Sequence, residues 1–392
     1  MKLINKKHIS TIHLADNSSC TGCSACAVAC PKHCIIMQED KEGFLQPIID
    51  NKACIKCHKC EKVCPILNPE SIEDSFETKA YAIINKNDDI RAKSSSGGVF
   101  FPLAKWVIEQ GGVVFGAKWN QQWEVVHDYT EDVEGIKAFM RSKYVQSNIG
   151  NTYVKVKQFL KENRKVLFSG TPCQVGGLIS FLGSKPENLI IVDIICHGVP
   201  SPKVWHKYLN EKCKENQILD INFREKSLGW KNFQNVTTTT TTTTYKESQR
   251  ENLFFRAFLN NVILRKSCYN CAFKSIKRIS DITLADYWGV HIHCPQMDDD
   301  KGTSLVFIHT LQGDKLLNEI KDNLILEQQE ISKAIEWNSA MIQSVPLTER
   351  RKYFFKAFDK NKFFDMSSYI DKDRLWVRIK RKIKKLIKFR II

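Results

Sequence analysis

Apolar residues recur along this chain in two rhythms, and the organisation changes where the rhythm does. From Lys79 onward, short continuous apolar runs alternate with stretches of helical spacing. Residues 80–84, 113–117, 165–168 and 189–196 read as strands. Val99, Phe100, Leu103, Trp106 and Val107 share one helical face, and 134–144 reads as a helix. Further helices are expected from about 174 to 182 and onward from Lys203. Thr171-Pro172 and Ser201-Pro202 stand before those last two, the N-cap and first-position proline that start a helix. Continuous apolar strands alternating with helices predict a parallel sheet covered on both faces. Ligands bind such sheets beyond the carboxyl ends of the strands. Cys173 and Cys196 both fall there.

Upstream of Lys79 the rhythm is different. Residues 35–37 and 44–49 are apolar and flank the turn-like Glu39-Asp40-Lys41-Glu42-Gly43, which predicts a short hairpin. Residues 70–78 are polar and acidic and read as a linker. The run Thr237 to Thr244 is β-branched throughout and suits a strand or an exposed loop. No apolar stretch approaches the roughly 18 residues that span a bilayer. The opening Met1 to His8 lacks an apolar segment, so no secretory signal is expected.

The chain has 392 residues and 15 cysteines. Without an export signal, that many thiols point to metal or redox chemistry in a reducing cytosol. Eight of them form a repeat. Cys20-x2-Cys23-x2-Cys26-x3-Cys30-Pro31 recurs as Cys54-x2-Cys57-x2-Cys60-x3-Cys64-Pro65, offset by 34 residues at every cysteine. Three cysteines at x2 spacing wrap one corner of an iron–sulfur cubane. In two-cluster ferredoxins the fourth cysteine of each run crosses to the other cluster. Cluster one is therefore assigned to Cys20, Cys23, Cys26 and Cys64, and cluster two to Cys54, Cys57, Cys60 and Cys30. Zinc also uses Cys-x2-Cys pairs, but it requires neither the third cysteine nor the trailing Cys-Pro, and both occur twice. Cys34 falls outside the pattern and reads as a small buried hydrophobe. Downstream, Cys268-x2-Cys271 offers a pair that Cys173 and Cys196 would complete to a third quartet. Spacing alone leaves this open against four ordinary thiols. Cys213 and Cys294 have no partner pattern.

The net charge is +16, and half of it sits in residues 371–392, where ten Lys/Arg face two Asp. Leu375, Trp376, Ile379, Ile383, Leu386 and Ile387 against Arg374, Arg378, Lys382, Lys385 and Lys388 make that tail an amphipathic basic helix. It suits anionic lipid, a partner protein, or simple packing with a solvated basic face. No nucleic-acid recognition motif accompanies the charge, so no nucleic-acid partner is expected. Ser94-Ser95-Ser96-Gly97-Gly98 before a helix, and Gly170-Thr171-Pro172-Cys173-Gln174, each suit an anion nest or an ordinary cap.

Taken together, several segments resemble one family. They are the double cysteine run, Ser94 to Gly98, Lys143-Tyr144-Val145-Gln146-Ser147 and Ser169-Gly170-Thr171-Pro172-Cys173-Gln174. Further on come Cys196-His197-Gly198-Val199-Pro200-Ser201, Phe223-Arg224-Glu225-Lys226 with Gly229-Trp230, and Cys268-x2-Cys271 before Asp281 to Gly289. In order and spacing they are similar to the beta subunits of coenzyme F420 hydrogenase/dehydrogenase, from Cys20 to about Gly289. One position departs: Ala285 stands where the family's last motif usually has glycine.

The resemblance implies a fold: an α+β two-cluster ferredoxin-like domain, then an α/β flavin-binding catalytic domain and the basic tail helix. It places the ferredoxin domain at 1–69, the family's N-terminal-type region at 79–158 and its C-terminal-type region at 159–345. It implies bound FAD, two 4Fe-4S clusters, and a third on Cys173, Cys196, Cys268 and Cys271. Flavin contacts are expected at Ser94, Ser95, Ser96, Gly97, Gly98, Lys143, Tyr144, Gln146, Ser147, Thr171, Gln174 and Asp286; no catalytic residue is assigned. A hydride carries two electrons and a cluster accepts one, so a flavin belongs between them. Lys143 or Arg141 would put positive charge near the flavin, unless both are solvated helix residues. His197 is read as structural. The implied activity is an oxidoreductase linking a hydride carrier such as coenzyme F420, or a small substrate, to a ferredoxin or other redox partner. The alternative is an electron carrier without its own substrate reaction, one setting being surface-polysaccharide synthesis. The expected location is the cytoplasm, or the inner membrane surface should the tail meet lipid.

Overall fold

The computed structural model describes residues 11–69, 76–214, 217–240 and 243–371. The expected tail helix, Asp371 apart, and most of the expected linker lie outside these residues. Strands β1 (Ile35–Glu39) and β2 (Leu45–Ile49) form the expected antiparallel hairpin, with Ile35 opposite Ile49 and Glu39 opposite Leu45. Gly43 closes it at a φ of +82°, and a Cβ there would overlap the Lys203 side chain. Only glycine gives both the left-handed turn and the close approach. The loops before and after the hairpin carry the two cysteine runs.

The rest of the chain is built on one eight-stranded sheet. Its strands are β3 (Lys79–Asn85), β4 (Val113–Trp119), β5 (Val125–Thr130), β6 (Val166–Gly170) and β7 (Leu189–Ile194), then β11 (Ile282–Asp286), β12 (Ser304–Ile308) and β13 (Leu324–Gln329). Across the sheet they run β13-β3-β12-β11-β7-β6-β4-β5. Only the middle, β11-β7-β6-β4, is parallel. The expected all-parallel sheet is thus corrected: β5 pairs antiparallel outside β4, and β12, β3 and β13 add antiparallel strands at the other side. The parallel strands are buried nearly throughout, which is why Val166-Leu167-Phe168 and Leu189 to Val192 are continuously apolar. A separate three-stranded sheet, β8 (Ile218–Glu225), β9 (Gln234–Thr239) and β10 (Thr244–Ser248), packs Phe223 against Trp205 and Phe254. The threonine run splits across it. Thr237, Thr238 and Thr239 end β9, and Thr244 opens β10.

The two proline-capped helices are Pro172–Leu182 and Pro202–Cys213. Ser201 Oγ accepts from Val204 N at 3.2 Å, and Thr171 N donates to Gln174 Oε1 at 3.0 Å. The helix expected over 134–144 is only Ile136–Phe139. Met140 turns extended, and Arg141 takes a φ of +66°. Beyond it, Gln146 N donates to Pro200 O and Ser142 Oγ to Ser95 Oγ, so tertiary partners pull residues 141–147 away from helix. Among the described residues no helix is long and apolar enough to cross a membrane.

Candidate functional site

Because β6, β7 and β11 are parallel neighbours, their carboxyl ends lie side by side. Thr171-Pro172-Cys173 follows β6, Ile195-Cys196 follows β7, and Asp286 ends β11. A cavity of about 570 Å3 opens there. That is within the roughly 300–1,000 Å3 of small-molecule and cofactor sites. Of the twelve expected flavin contacts, Ser94, Ser95, Ser96 and Gly98 line it, as do Lys143, Tyr144, Gln146 and Ser147, and Thr171, Gln174 and Asp286. Gly97 does not: a Cβ there would run into Ile83 O and Ser304 N, so this glycine lets the loop lie against the sheet. Ala285 is part of the wall, and its methyl narrows the cavity where the family's glycine would not.

The polar wall is largely held by internal partners. Ser94 Oγ donates to Ile90 O and Ser96 Oγ to Thr303 O, both at 2.7 Å. Arg224 Nη1 meets Asp286 Oδ2 at 2.8 Å, with the guanidinium almost wholly buried. Its Nε is buried with no hydrogen-bond partner among the described residues, as befits a donor awaiting a ligand. Lys143 Nζ donates to Met140 O at 2.8 Å. Burial, then the Arg141 charge, push its amine down to about 7. Lys143 and Arg141 are therefore neither solvated nor helical. They sit in the wall, Arg141 paired with Asp220 at 3.0 Å.

Sequence reasoning missed His127, which lies on β5 inside the same cavity. Its Nε2 reaches Ser169 O at 3.0 Å and its Nδ1 reaches Ser147 Oγ at 2.6 Å. A carbonyl only accepts, so Nε2 carries the proton and Nδ1 accepts from the serine. Burial lowers its pKa to about 4, keeping the ring neutral. The only sequence signal is the alternation of Val125 and His127 as inward positions on one strand. His197 is held as expected of a structural histidine: Nε2 to Asn261 Oδ1 at 2.7 Å, with its ring edge-on to Phe258.

Cys173 and Cys196 belong to two walls. With Cys268 and Cys271 they surround a second, small pocket abutting the large one. Burial first, then Cys196, Cys271 and Cys268, push the Cys173 thiol well above its usual range. Four thiols thus sit within one another's electrostatic reach. Arg265, Lys274 and Arg278 line the same pocket, and Lys274 Nζ donates to Ala340 O at 2.7 Å. Three cations suit a metal centre made anionic by four thiolates.

The other cysteines assemble in the same way. Cys20, Cys23, Cys26 and Cys64 line one small pocket; Cys30, Cys54, Cys57 and Cys60 line another, which Cys34 also enters. These are the crossed quartets expected from the spacing, each fourth cysteine sitting with the other run. The reading of Cys34 as a plain hydrophobe needs correction, because its Sγ is 3.3 Å from Cys30 Sγ. Among the described residues, no three His, Cys, Asp or Glu side chains are gathered tightly enough for a single metal ion. The thiols are instead spread around pockets, a donor set that fits clusters.

One buried arginine ties these parts together. Arg265 donates from Nε to Cys20 O at 2.8 Å, from Nη2 to Leu45 O at 2.9 Å and from Nη1 to Gln146 Oε1 at 3.1 Å. Gln146 Nε2 in turn donates to Thr21 O at 2.9 Å. Thr21 lines both the Cys20 pocket and the Cys173 pocket. The large cavity, the downstream quartet and the first N-terminal quartet are therefore contiguous. The Cys30 pocket lies farther out, with Cys57 exposed.

The comparisons with known proteins agree with this geometry. Residues 19–67 match the family model for a 4Fe-4S dicluster domain. Residues 163–334 match the model for the C terminus of the coenzyme F420 hydrogenase/dehydrogenase beta subunit. No curated protein matches the chain. Among solved structures, a chain of the F420-reducing [NiFe] hydrogenase complex from Methanosarcina barkeri is 16% identical, with a TM-score of 0.47 over 75% of this chain and 96% of that one. Over its two matched stretches this chain belongs to the coenzyme F420 hydrogenase/dehydrogenase beta-subunit family, as an iron–sulfur oxidoreductase carrying a 4Fe-4S dicluster domain.

Proposed function

We propose that the chain holds FAD in the cavity of about 570 Å3 and three 4Fe-4S clusters in its thiol quartets, and that it links a hydride carrier or small reducible substrate to a one-electron protein partner. When bound, the flavin would supply the exchange between paired and single electrons, and the clusters a path for single electrons. The observation that carries this reading is the shared wall: Cys173 and Cys196 face both the large cavity and the downstream thiol pocket. A group in one is then next to a group in the other.

The remaining work falls to this chain's residues. Arg224 and Lys143 offer positive charge to an anionic ligand, and His127 stays neutral inside the wall. Arg265, Lys274 and Arg278 offset the charge of the downstream quartet. The relative from Methanosarcina barkeri is part of a hydrogenase complex, and we propose a protein partner here too, meeting the exposed Cys57 side.

Anaerobic purification with iron, sulfide and flavin quantitation tests the proposal. About twelve irons and one FAD per chain are expected; about eight irons would remove the third cluster, and zinc without flavin would end the reading. Bleaching of the bound flavin by a reduced hydride donor separates an enzyme from a carrier.

A further inference from the structure

The second N-terminal pocket contains one thiol too many. A 4Fe-4S cluster takes four cysteines, and Cys30, Cys54, Cys57 and Cys60 supply them. Cys34 lines the same pocket, is 7% exposed, and puts its Sγ 3.3 Å from that of Cys30. The turn between Cys30 and β1 brings this about: His33 N donates to Cys30 O at 3.1 Å, and His33 takes a φ of +50°. The chain thereby doubles back so that Cys34, four residues on, faces inward again. No side chain other than a thiol partners Cys34 there, and Ile12, Ile35 and Ile49 close the apolar side. The first pocket differs. Only its own quartet of thiols lines it.

We infer that Cys34 is a reserve ligand for the second cluster, able to take the coordination place of Cys30. The exchange is redox-neutral. The iron–sulfur bond to Cys30 breaks, one to Cys34 forms, and the Cys34 proton passes across the short Sγ–Sγ contact to the departing Cys30 thiolate. With Cys30 bound, the Cys34 thiol donates to its sulfur. Such second-shell donors tune cluster potentials. The exposed side of the molecule, where Cys57 meets solvent, is where oxidants reach a cluster first. A spare thiol there would hold the fourth iron when one ligand is oxidised.

The inference rests on the second pocket holding a four-iron cluster, which the iron and sulfide content of the unaltered protein tests separately. The deciding comparison is Cys30→Ala, Cys34→Ala and the double variant, each purified anaerobically. Iron, sulfide and the electron paramagnetic resonance of oxidised and reduced samples are recorded for all three. Either single variant should keep the full iron content. The double variant should lose about one to four irons per chain and show a three-iron signal or none from that site. Cys26→Ala, whose pocket has no fifth thiol, should lose iron as a single change. Should Cys30→Ala prove misfolded by circular dichroism, Cys30→Ser with and without Cys34→Ala gives the same comparison at near-native volume. If Cys30→Ala or Cys30→Ser alone loses as much iron as its double variant, Cys34 is no reserve ligand, even though the unaltered protein holds its clusters.

Discussion

Lys143 is the residue on which the cavity's response to pH turns. Its amine ordinarily titrates near 10.5, and burial beside Arg141 brings it to about 7. The folded, empty protein therefore gives up a proton that the unfolded chain keeps between pH 7 and 10.5. By linkage the unfolded state then binds more protons, so stability rises with pH across that window, while below pH 7 the burial cost is fully present. Binding of an anion must run the other way. A phosphate or anionic flavin in the cavity restores the charge and takes up a proton, so affinity falls as pH rises through about 7. Titrations of the ligand-free protein with FAD should show dissociation constants climbing by up to about tenfold per pH unit above 7. Lys143→Met should bind about tenfold more weakly at pH 6 and respond to pH much less. A profile equally steep in Lys143→Met would remove the lysine from the site. Arg224 cannot stand in for it, because its Nη atoms are already committed to Asp286 and Tyr144.

Elements place these residues, and two of them make distinct demands. The Pro172–Leu182 helix carries Cys173 at its start and presses Gly177 against the first cysteine run. A Cβ at Gly177 would lie 2.8 Å from Cys23 Cβ and 2.9 Å from its Sγ. Alanine inside a helix gains about 1 kcal/mol over glycine, whereas overpacking costs about 1–3 kcal/mol. Here the crowded atom is also a candidate ligand. Gly177→Ala should therefore lower the melting temperature and release about four irons per chain; a more stable variant with intact iron would show that the contact yields. Strand β5 and the end of β12 hold the two buried histidines, His127 with a pKa near 4 and His309 near 3. Unfolded histidine takes its proton near 6.5. Both rings thus contribute stability that is complete above pH 6.5 and drains as pH falls toward 4, by up to about 1.4 kcal/mol per pH unit for each. Chemical denaturation between pH 7 and 4.5 should show that slope, halved in His127→Gln or His309→Gln. At this scale much was legible in the sequence, because the signals are local. Thr171-Pro172 and Ser201-Pro202 start helices, and an uninterrupted apolar run is a buried strand. What was not legible depended on partners far away in sequence. Nothing in residues 304–308 announces that β12 lies antiparallel between β3 and β11, and nothing in 140–147 announces that Ser95 and Pro200 will straighten a helical pattern into a cavity wall.

Across the whole molecule the decisive feature is contiguity. The N-terminal cysteine spacing revealed its two quartets because ligands close in sequence must be close in space. The downstream quartet joins Cys173 and Cys196 to a pair more than seventy residues away, and only three parallel strands ending together bring them to one place. That position, between the large cavity and the Cys20 pocket, makes the downstream quartet the step between flavin and ferredoxin-like unit. Arg265 and Gln146 brace both sides of it, and Arg351 adds a bidentate pair with Glu42 from the hairpin turn. The two parts are thus held at fixed separation, and single-electron transfer should depend on what lies between them rather than on how they approach. Replacing Cys271 by serine tests this, since Cys271 lines the downstream pocket but not the large cavity. The variant should lose about four irons per chain and retain its FAD. With a reduced hydride donor its flavin absorbance should still bleach, while the resonance signals of the two N-terminal clusters grow at least tenfold more slowly than in the unaltered protein. Equal rates would mean that electrons cross directly from the cavity to the Cys20 pocket, and that the downstream quartet stabilises the fold without joining the path.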